Sequence, residues 1–454
     1  MSQQDFSRRN FLIGSSLVGA STLLPFATAR ADSSAGSSLE QIAEDAFIWG
    51  IPPVLLSRYI QIARDAGVPF NRFQLSLDLA TPQTRAVGPN VDTLYGFAWL
   101  DLDAAPQVIA VPDTNDRYYS IQLLDLYGNS FAYIGRRTTG TKAGAFALTP
   151  PGYWGRIPRG VTQIKAPTSK VLALVRTLVR GHADLEASRA VHQSYTLGAL
   201  SQYPHGRVAS EPRTESLNVF PALDLSGEGA SYFDELNGLI REYPPLPSEW
   251  WALFRLARVG IGPGRKIRND DLRALLASAV APGLARVKQG LASAATVVNG
   301  WRVNQEVVPF ITDPVLRAGS VLYGPGFHVR DEALYFSANN LAGAPLSGQN
   351  RYRLRFPAGQ LPPVGAFWSL TLYGANFFLV DNPINRYAIH DRTEGLTYGA
   401  DGSLEIQIQN APPAEGTSNW LPAPQGAFSL TLRTYQPSAA ILDGDYQLPP
   451  LALA

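Results

Sequence analysis

The chain contains no cysteine, one methionine and five histidines among its 454 residues. Without cysteine there is no disulfide, no thiolate-bound metal or iron–sulfur cluster, no cysteine-attached haem and no cysteine nucleophile. An oxidising compartment is therefore harmless to it. An excess of one charge sign is also missing, since 38 Lys and Arg face 37 Asp and Glu. That balance argues against a nucleic-acid surface built on general basicity. Charged residues make up only 17% of the chain and apolar ones 45%, so a substantial core is available and disorder throughout is excluded. The 40 glycines and 35 prolines are more than a plain helical bundle tolerates, and they favour sheets joined by turns.

Long, strongly apolar runs are scarce. The stretch from Phe11 to Ala27 is rich in Ser and Gly and falls short of the roughly 20 apolar residues that span a bilayer. Before it, Ser7, Arg8, Arg9, Asn10, Phe11 and Leu12 resemble the twin-arginine export motif. After it, Ala29, Arg30 and Ala31 form a small-residue cleavage site. Residues 1–31 are read as a signal peptide and the destination as the periplasm or the exterior. No stable membrane span is expected after cleavage. The mature chain would begin at Asp32 with 35 basic and 36 acidic residues, a formal charge of −1.

Several catalytic signatures are absent. His182, His192, His205, His328 and His390 show no H-E-x-x-H or i,i+4 spacing, so a zinc hydrolase or facial-triad iron site lacks support. There is no G-x-S-x-G elbow. Gly260, Gly262, Pro263 and Gly264 mark a turn rather than a phosphate loop. The cofactor is left unassigned, with carboxylates and amide oxygens as the remaining metal donors.

The pattern that is present changes period along the chain. Residues 38–66 read as two helical segments with a kink at Pro52 and Pro53. Short aromatic and apolar runs from 91 to 180 read as antiparallel strands. Helical spacing returns over Ala183–Ser201, Ser231–Leu239, Ser248–Val259 and Leu272–Val298, and strands resume from Leu334. The expected fold is α+β and mainly β: two jelly-roll-like antiparallel sandwiches joined by a helical region. The boundaries are 36–181 for the helices plus first sandwich, 182–333 for the mainly helical linker and 334–454 for the second sandwich.

Two sets of blocks carry a resemblance. Gly88 to Gly96, Arg117 to Ser120 and Asp125 to Asn129 resemble the domain-of-unknown-function family 1254. Pro363 to Tyr373, Asn382, Pro383, Arg386, Tyr387, Asp401 to Ser403, Asn419 to Pro424, Leu432, Arg433 and Tyr435 resemble its usual carboxyl-terminal partner, family 1214. The resemblance implies an amino-terminal helix and β domain, a jelly-roll-like carboxyl-terminal sandwich and frequent oligomers. It implies no agreed reaction.

Two clusters stand out for chemistry. Around the turn at Gly88 and Pro89, Asn90 and Asp92 offer short polar side chains and Tyr95 a hydroxyl. Asp92 and Tyr95 are the candidate proton-transfer pair, with Asn90 and Asp125 as ligand-binding residues. The same groups would equally serve as turn caps. Asp113 and Asp116 are further carboxylates, and Asp116 with Arg117 is read as a solvated hairpin tip. The second cluster is Trp368, Tyr373, Arg386, Asn419, Trp420 and Arg433. Its rings can stack on a ligand and its guanidiniums can clamp a carboxylate, or the same residues can fill a core. The expected function is an exported binder, hydrolase or lyase for a small polar or carbohydrate-like ligand in an aromatic-lined cleft. The alternatives are a noncatalytic carbohydrate or envelope-interaction module and a structural homo-oligomer.

Overall fold

In the computed structural model the described residues are 37–84, 87–204, 208–209, 211–213, 220–303 and 311–454. The export motif, its apolar run and His205 lie outside them. The chain enters through helix α1 (Leu39–Asp65), which runs unbroken through Pro52 and Pro53 instead of dividing there. Every residue from Ala46 to Leu56 is buried, and helices later in the chain pack around them. Burial on all sides outweighs the backbone hydrogen bonds that the two prolines cannot make. The helix is long and apolar enough to cross a membrane, but 72% of its apolar window is covered by the protein.

Eleven strands follow in the first half: β1 (Gln74–Ser76), β2 (Thr93–Asp101), β3 (Gln107–Val111), β4 (Tyr119–Asp125), β5 (Ser130–Gly135), β6 (Gly144–Thr149), β7 (Thr162–Lys165), β8 (Lys170–Leu178), β9 (Thr196–Ala199), β10 (Val208–Ala209) and β11 (Glu211–Arg213). They form a six-stranded sheet, β11-β1-β2-β8-β4-β5, and a five-stranded one, β10-β9-β3-β6-β7. Ala98, Leu100, Ile121, Ala173 and Val175 of the first sheet share a core with Ile109, Phe146, Leu148 and Leu197 of the second. Alternation along each strand then turns Tyr95, Phe97 and Trp99 to the outer face of the six-stranded sheet.

Between the halves lie α2 (Leu185–Gln193), α3 (Ala230–Glu242), α4 (Trp250–Leu256), α5 (Asp270–Ser278), α6 (Val280–Ser293) and α7 (Pro314–Leu322). Two long helices expected here are shorter. The first stops at Gln193, and Thr196–Ala199 leaves to pair with β3, burying Tyr195 and Leu197. The second divides at Ala279, because Pro282 is accommodated in a first helical turn. Side-chain caps fix two starts: Asn269 accepts from the Leu272 amide at 2.6 Å, and Asp313 accepts from the Val315 amide at 2.7 Å ahead of Pro314. Helices α3 to α7 close over α1, while α2 lies against β8 and β2, and Trp99, Leu124 and Leu172 of the six-stranded sheet join the helical core.

The second half holds β12 (Thr296–Val298), β13 (Trp301–Val303), β14 (Ala333–Ala338), β15 (Asn340–Leu341), β16 (Ala344–Pro345), β17 (Tyr352–Phe356), β18 (Val364–Gly374), β19 (Ala388–His390), β20 (Leu404–Gln409), β21 (Trp420–Pro422), β22 (Phe428–Pro437), the short α8 (Ala439–Leu442) and β23 (Leu451–Leu453). A second six-stranded sheet, β12-β13-β14-β22-β18-β19, packs on a four-stranded one, β21-β20-β17-β23. Leu334, Phe336, Leu370 and Leu432 meet Leu354, Phe356, Ile406 and Ile408 in their shared core. The second six-stranded sheet is wholly antiparallel, whereas the other three large sheets are mixed: β1 with β11, β6 with β7, and β20 with β21 run parallel. Each of these pairs is joined by a connection longer than a hairpin, as parallel pairing requires.

Candidate functional site

The two six-stranded sheets meet along their outer faces. On the first, Tyr95 pairs across β2 and β8 with Arg176, and Gln122 of β4 lies beside it, its Oε1 accepting from Arg176 Nη1 at 3.0 Å. On the second, Tyr335, Arg433 and Ser369 form one row across β14, β22 and β18, while Tyr435 faces Ala333 and Phe367 one step along. Both faces are polar at this end and apolar at their cores. The resulting seam divides into an aromatic wedge, two charge clasps and an arginine–tyrosine nest.

The wedge is dry. Tyr118 and Leu178 from the first half pack with Ala333, Phe367 and Tyr435 from the second. Phe367 stacks on Tyr435 with centroids 4.1 Å apart, and Tyr118 meets both rings edge-on. Each such aromatic pair adds about 0.5 to 1.5 kcal/mol beyond its buried area.

The clasps flank the wedge. Asp92 is buried, with Oδ2 accepting from Ser369 Oγ at 2.6 Å and Oδ1 from Arg392 Nη2 at 2.7 Å. Arg392 lies over the Phe367 ring and also meets Asp391. Burial raises the Asp391 carboxyl to about 6 although Arg392 opposes it, and burial lowers neighbouring His390 to about 4. On the other flank, Glu332 accepts from Tyr118 Oη at 2.8 Å and from Arg137 Nε at 2.5 Å. Asn90 locks the loop between the halves. Its Oδ1 accepts from the Asp92 and Thr93 amides at 3.0 Å each, and its Nδ2 donates to Tyr435 Oη at 2.9 Å.

The nest lies one row along the strands from the wedge, where Tyr335, Arg433 and Ser369 stand side by side. Arg433 donates to the Gly88 carbonyl at 2.8 Å and to Thr371 Oγ1 at 3.1 Å, with the Tyr335 and Tyr373 rings 5.9 and 5.6 Å from its guanidinium carbon. Tyr373 Oη donates to the Pro89 carbonyl at 2.6 Å. Arg176 donates to the Gly326 carbonyl at 2.6 Å and lies 5.6 Å from the Tyr95 ring centroid. Tyr95 and Tyr335 are part-exposed. Burial pushes the Tyr335 and Tyr373 hydroxyls up against the lowering influence of the arginines, so both are neutral at neutral pH. His328 is buried beside Tyr435 and Tyr133. Burial, then Arg176 and Arg137, hold its imidazole well below the usual value, and its Nε2 has no hydrogen-bond partner among the described residues.

Of the residues singled out in the sequence, Asn90, Asp92, Tyr95, Tyr373 and Arg433 therefore converge on the seam. Asp125 does not. Its Oδ1 caps the β4–β5 turn, accepting from the Tyr127 and Asn129 amides at 2.9 Å each, and burial raises its carboxyl to about 6 against those donors and Arg317. Trp368 is in the second core, its ring 5.6 Å from Phe356. Arg386, Asn419 and Trp420 form a separate loop clasp. Arg386 Nη1 donates to the Thr417, Ser418 and Trp420 carbonyls, Asn419 bonds the Thr397 and Glu405 backbone, and buried Trp420 donates to the Gln409 carbonyl. Sequence reasoning missed Arg176, Tyr335, Tyr435 and Arg392. An arginine inside an otherwise apolar strand was the available signal for Arg176. No cluster of three or more metal-ligating His, Asp or Glu side chains occurs among the described residues.

The two sides of the seam coincide with two family matches. Residues 70–199 match the family described as protein of unknown function DUF1254, and residues 332–439 match DUF1214. The two matches fall in that order along the chain. The DUF1254 segment supplies Asn90, Asp92, Tyr95 and Arg176, and the DUF1214 segment supplies Tyr335, Ser369, Tyr373, Arg433 and Tyr435. A comparison with curated proteins returned no match. Among solved structures, the VPA0106 protein of Vibrio parahaemolyticus is similar at 23% identity and a TM-score of 0.70, over 92% of this chain and 100% of that one, which establishes a shared fold. An uncharacterised protein from Burkholderia cenocepacia aligns over 92% of this chain and 96% of that one at 11% identity and a TM-score of 0.43.

Proposed function

We propose that the chain is exported by the twin-arginine route to the periplasm or beyond and holds a small polar or carbohydrate-like ligand at the seam between its halves. One observation carries this reading: Tyr95 and Tyr335, one from each half, remain part-exposed beside arginines that are buried. Rings flanking a guanidinium suit stacking plus a directed polar contact. The two halves, jelly-roll-like as the resemblance implies, serve as rigid walls. Binding is favoured over turnover because Asp92 has both oxygens engaged by Ser369 and Arg392. Of the candidate proton-transfer pair, Tyr95 is the member on the open side.

The test is to extract small molecules from protein exported by its native pathway, alongside a Tyr335→Ala variant, and to compare them by mass spectrometry. A compound enriched in the wild type and lost from the variant supports the reading. Identical extracts contradict it.

A second reading, an envelope-interaction module or oligomer subunit, is favoured by one surface. Trp250, Trp251 and Phe254 on α4 are exposed, Phe254 by 86%, which is more aromatic surface than a short helix in a monomer usually presents. Its check is the solution mass of the wild type against a Trp251→Ser/Phe254→Ser variant.

A further inference from the structure

Four arginines are buried among the described residues: Arg117, Arg176, Arg317 and Arg433. Arg117 meets Asp184 and Arg317 meets Glu249. Arg176 and Arg433, 7% and 5% exposed, make no ion pair with a carboxylate among the described residues. The buried carboxylates at the seam are taken by other arginines, Asp92 by Arg392 and Glu332 by Arg137. Tyrosines cannot substitute, because burial keeps Tyr335, Tyr373 and Tyr435 protonated. An arginine stays charged under all ordinary conditions, so two cations are buried against neutral partners alone, an arrangement that opposes folding unless a counter-charge arrives.

Both guanidiniums act on one place. Arg176 lies over the Tyr95 ring and Arg433 over the Tyr335 ring. The two tyrosine hydroxyls accept from the Asn90 and His328 amides, each two residues from the carbonyl that the other half's arginine holds, Gly88 and Gly326. Each commits two of its five N–H donors to the neutral acceptors described above, leaving three for a planar oxyanion. His328 adds an unpartnered ring nitrogen in the same buried neighbourhood.

We infer that the seam receives a small carboxylate, its oxygens between Arg176 and Arg433 and its body against Tyr95 and Tyr335. This rests on the seam being a ligand site, and it narrows the ligand from a polar molecule to an acidic one.

Thermal unfolding of the mature chain tests this in chloride buffer at constant ionic strength, with succinate, benzoate, inorganic phosphate, glucose and N-acetylglucosamine as probes. At least one carboxylate should raise Tm saturably, by about 3 to 5 °C at a hundredfold excess over its Kd. Arg176→Gln and Arg433→Gln should each weaken that affinity by about tenfold or more, and Arg176→Lys and Arg433→Lys, which keep the charge and lose the fork, should weaken it too. A rise with phosphate but no carboxylate, or a carboxylate rise that survives all four substitutions, overturns the inference. A rise with a neutral sugar alone, lost in Tyr335→Ala, overturns the carboxylate while retaining the seam as a site. No rise with any probe overturns both.

Discussion

Arg317 in the helical layer and Arg433 in the seam are both buried, but the fold treats them differently. The Arg317 guanidinium lies on Glu249 at 2.6 and 3.0 Å, and Trp49 donates to the same carboxylate at 2.9 Å. Arg433 has a carbonyl, a hydroxyl and two tyrosine faces. A charge matched inside the protein ties elements together, while a charge left unmatched works against stability and is retained where something else makes use of it. The same contrast runs along one sheet face, where Trp99 and Leu172 pack into the helical core while Tyr95 and Arg176 stay polar at the seam.

Breaking the matched pair should have the largest effect. Glu249→Gln leaves Arg317 buried without its anion and should cost about 3 to 5 kcal/mol, read from urea unfolding. Next comes a pH effect of opposite signs. Asp125 has a folded value of about 6, above an ordinary carboxyl, so its contribution favours folding at low pH and turns unfavourable as pH rises through about 6. His192, fully buried and lowered to about 4 by burial, does the reverse: its contribution is complete above about 6.5 and is lost as pH falls towards 4. The two nearly cancel in the wild type. In Asp125→Asn the cancellation is gone, and the destabilisation should be about 2 to 3 kcal/mol greater at pH 4 than at pH 7, measured by denaturant unfolding at the two pH values.

Smaller effects sharpen the comparison within the seam. Asp92→Asn removes a charge from Arg392 but leaves Asp391 beside it, so the expected cost is about 2 kcal/mol rather than the full value of a stranded charge. Asn90→Ala loses the cap on the Asp92 and Thr93 amides and the bond to Tyr435, for about 1 to 2 kcal/mol. Both are measured by the same unfolding experiment.

Much of the fold was legible because burial imposes period. The blocks around Trp99, Ile121, Leu370 and Leu432 announce strands through apolar and aromatic runs between turns, and each is a strand in the sheets. The unbroken α1 was not, because tolerance of Pro52 and Pro53 comes from neighbours distant in sequence. The site was half legible. Asn90 and Asp92 are conspicuous in a turn, and Arg433 is a lone cation in an apolar strand. Tyr95 and Arg176 become partners only through the register of β2 on β8, which local sequence does not encode. Trp368 and Trp420 drew attention by type, but a large ring is as useful in a core as in a cleft, and both are buried.

The most direct measurement is the unfolding free energy of an Arg176→Gln/Arg433→Gln double variant in a buffer whose only anion is chloride. If the two arginines are held for a ligand, removing them relieves two unmatched buried charges, and the double variant should be as stable as the wild type or up to about 2 kcal/mol more stable. A loss of more than about 3 kcal/mol would make them structural residues like Arg317 and would contradict the account of the seam.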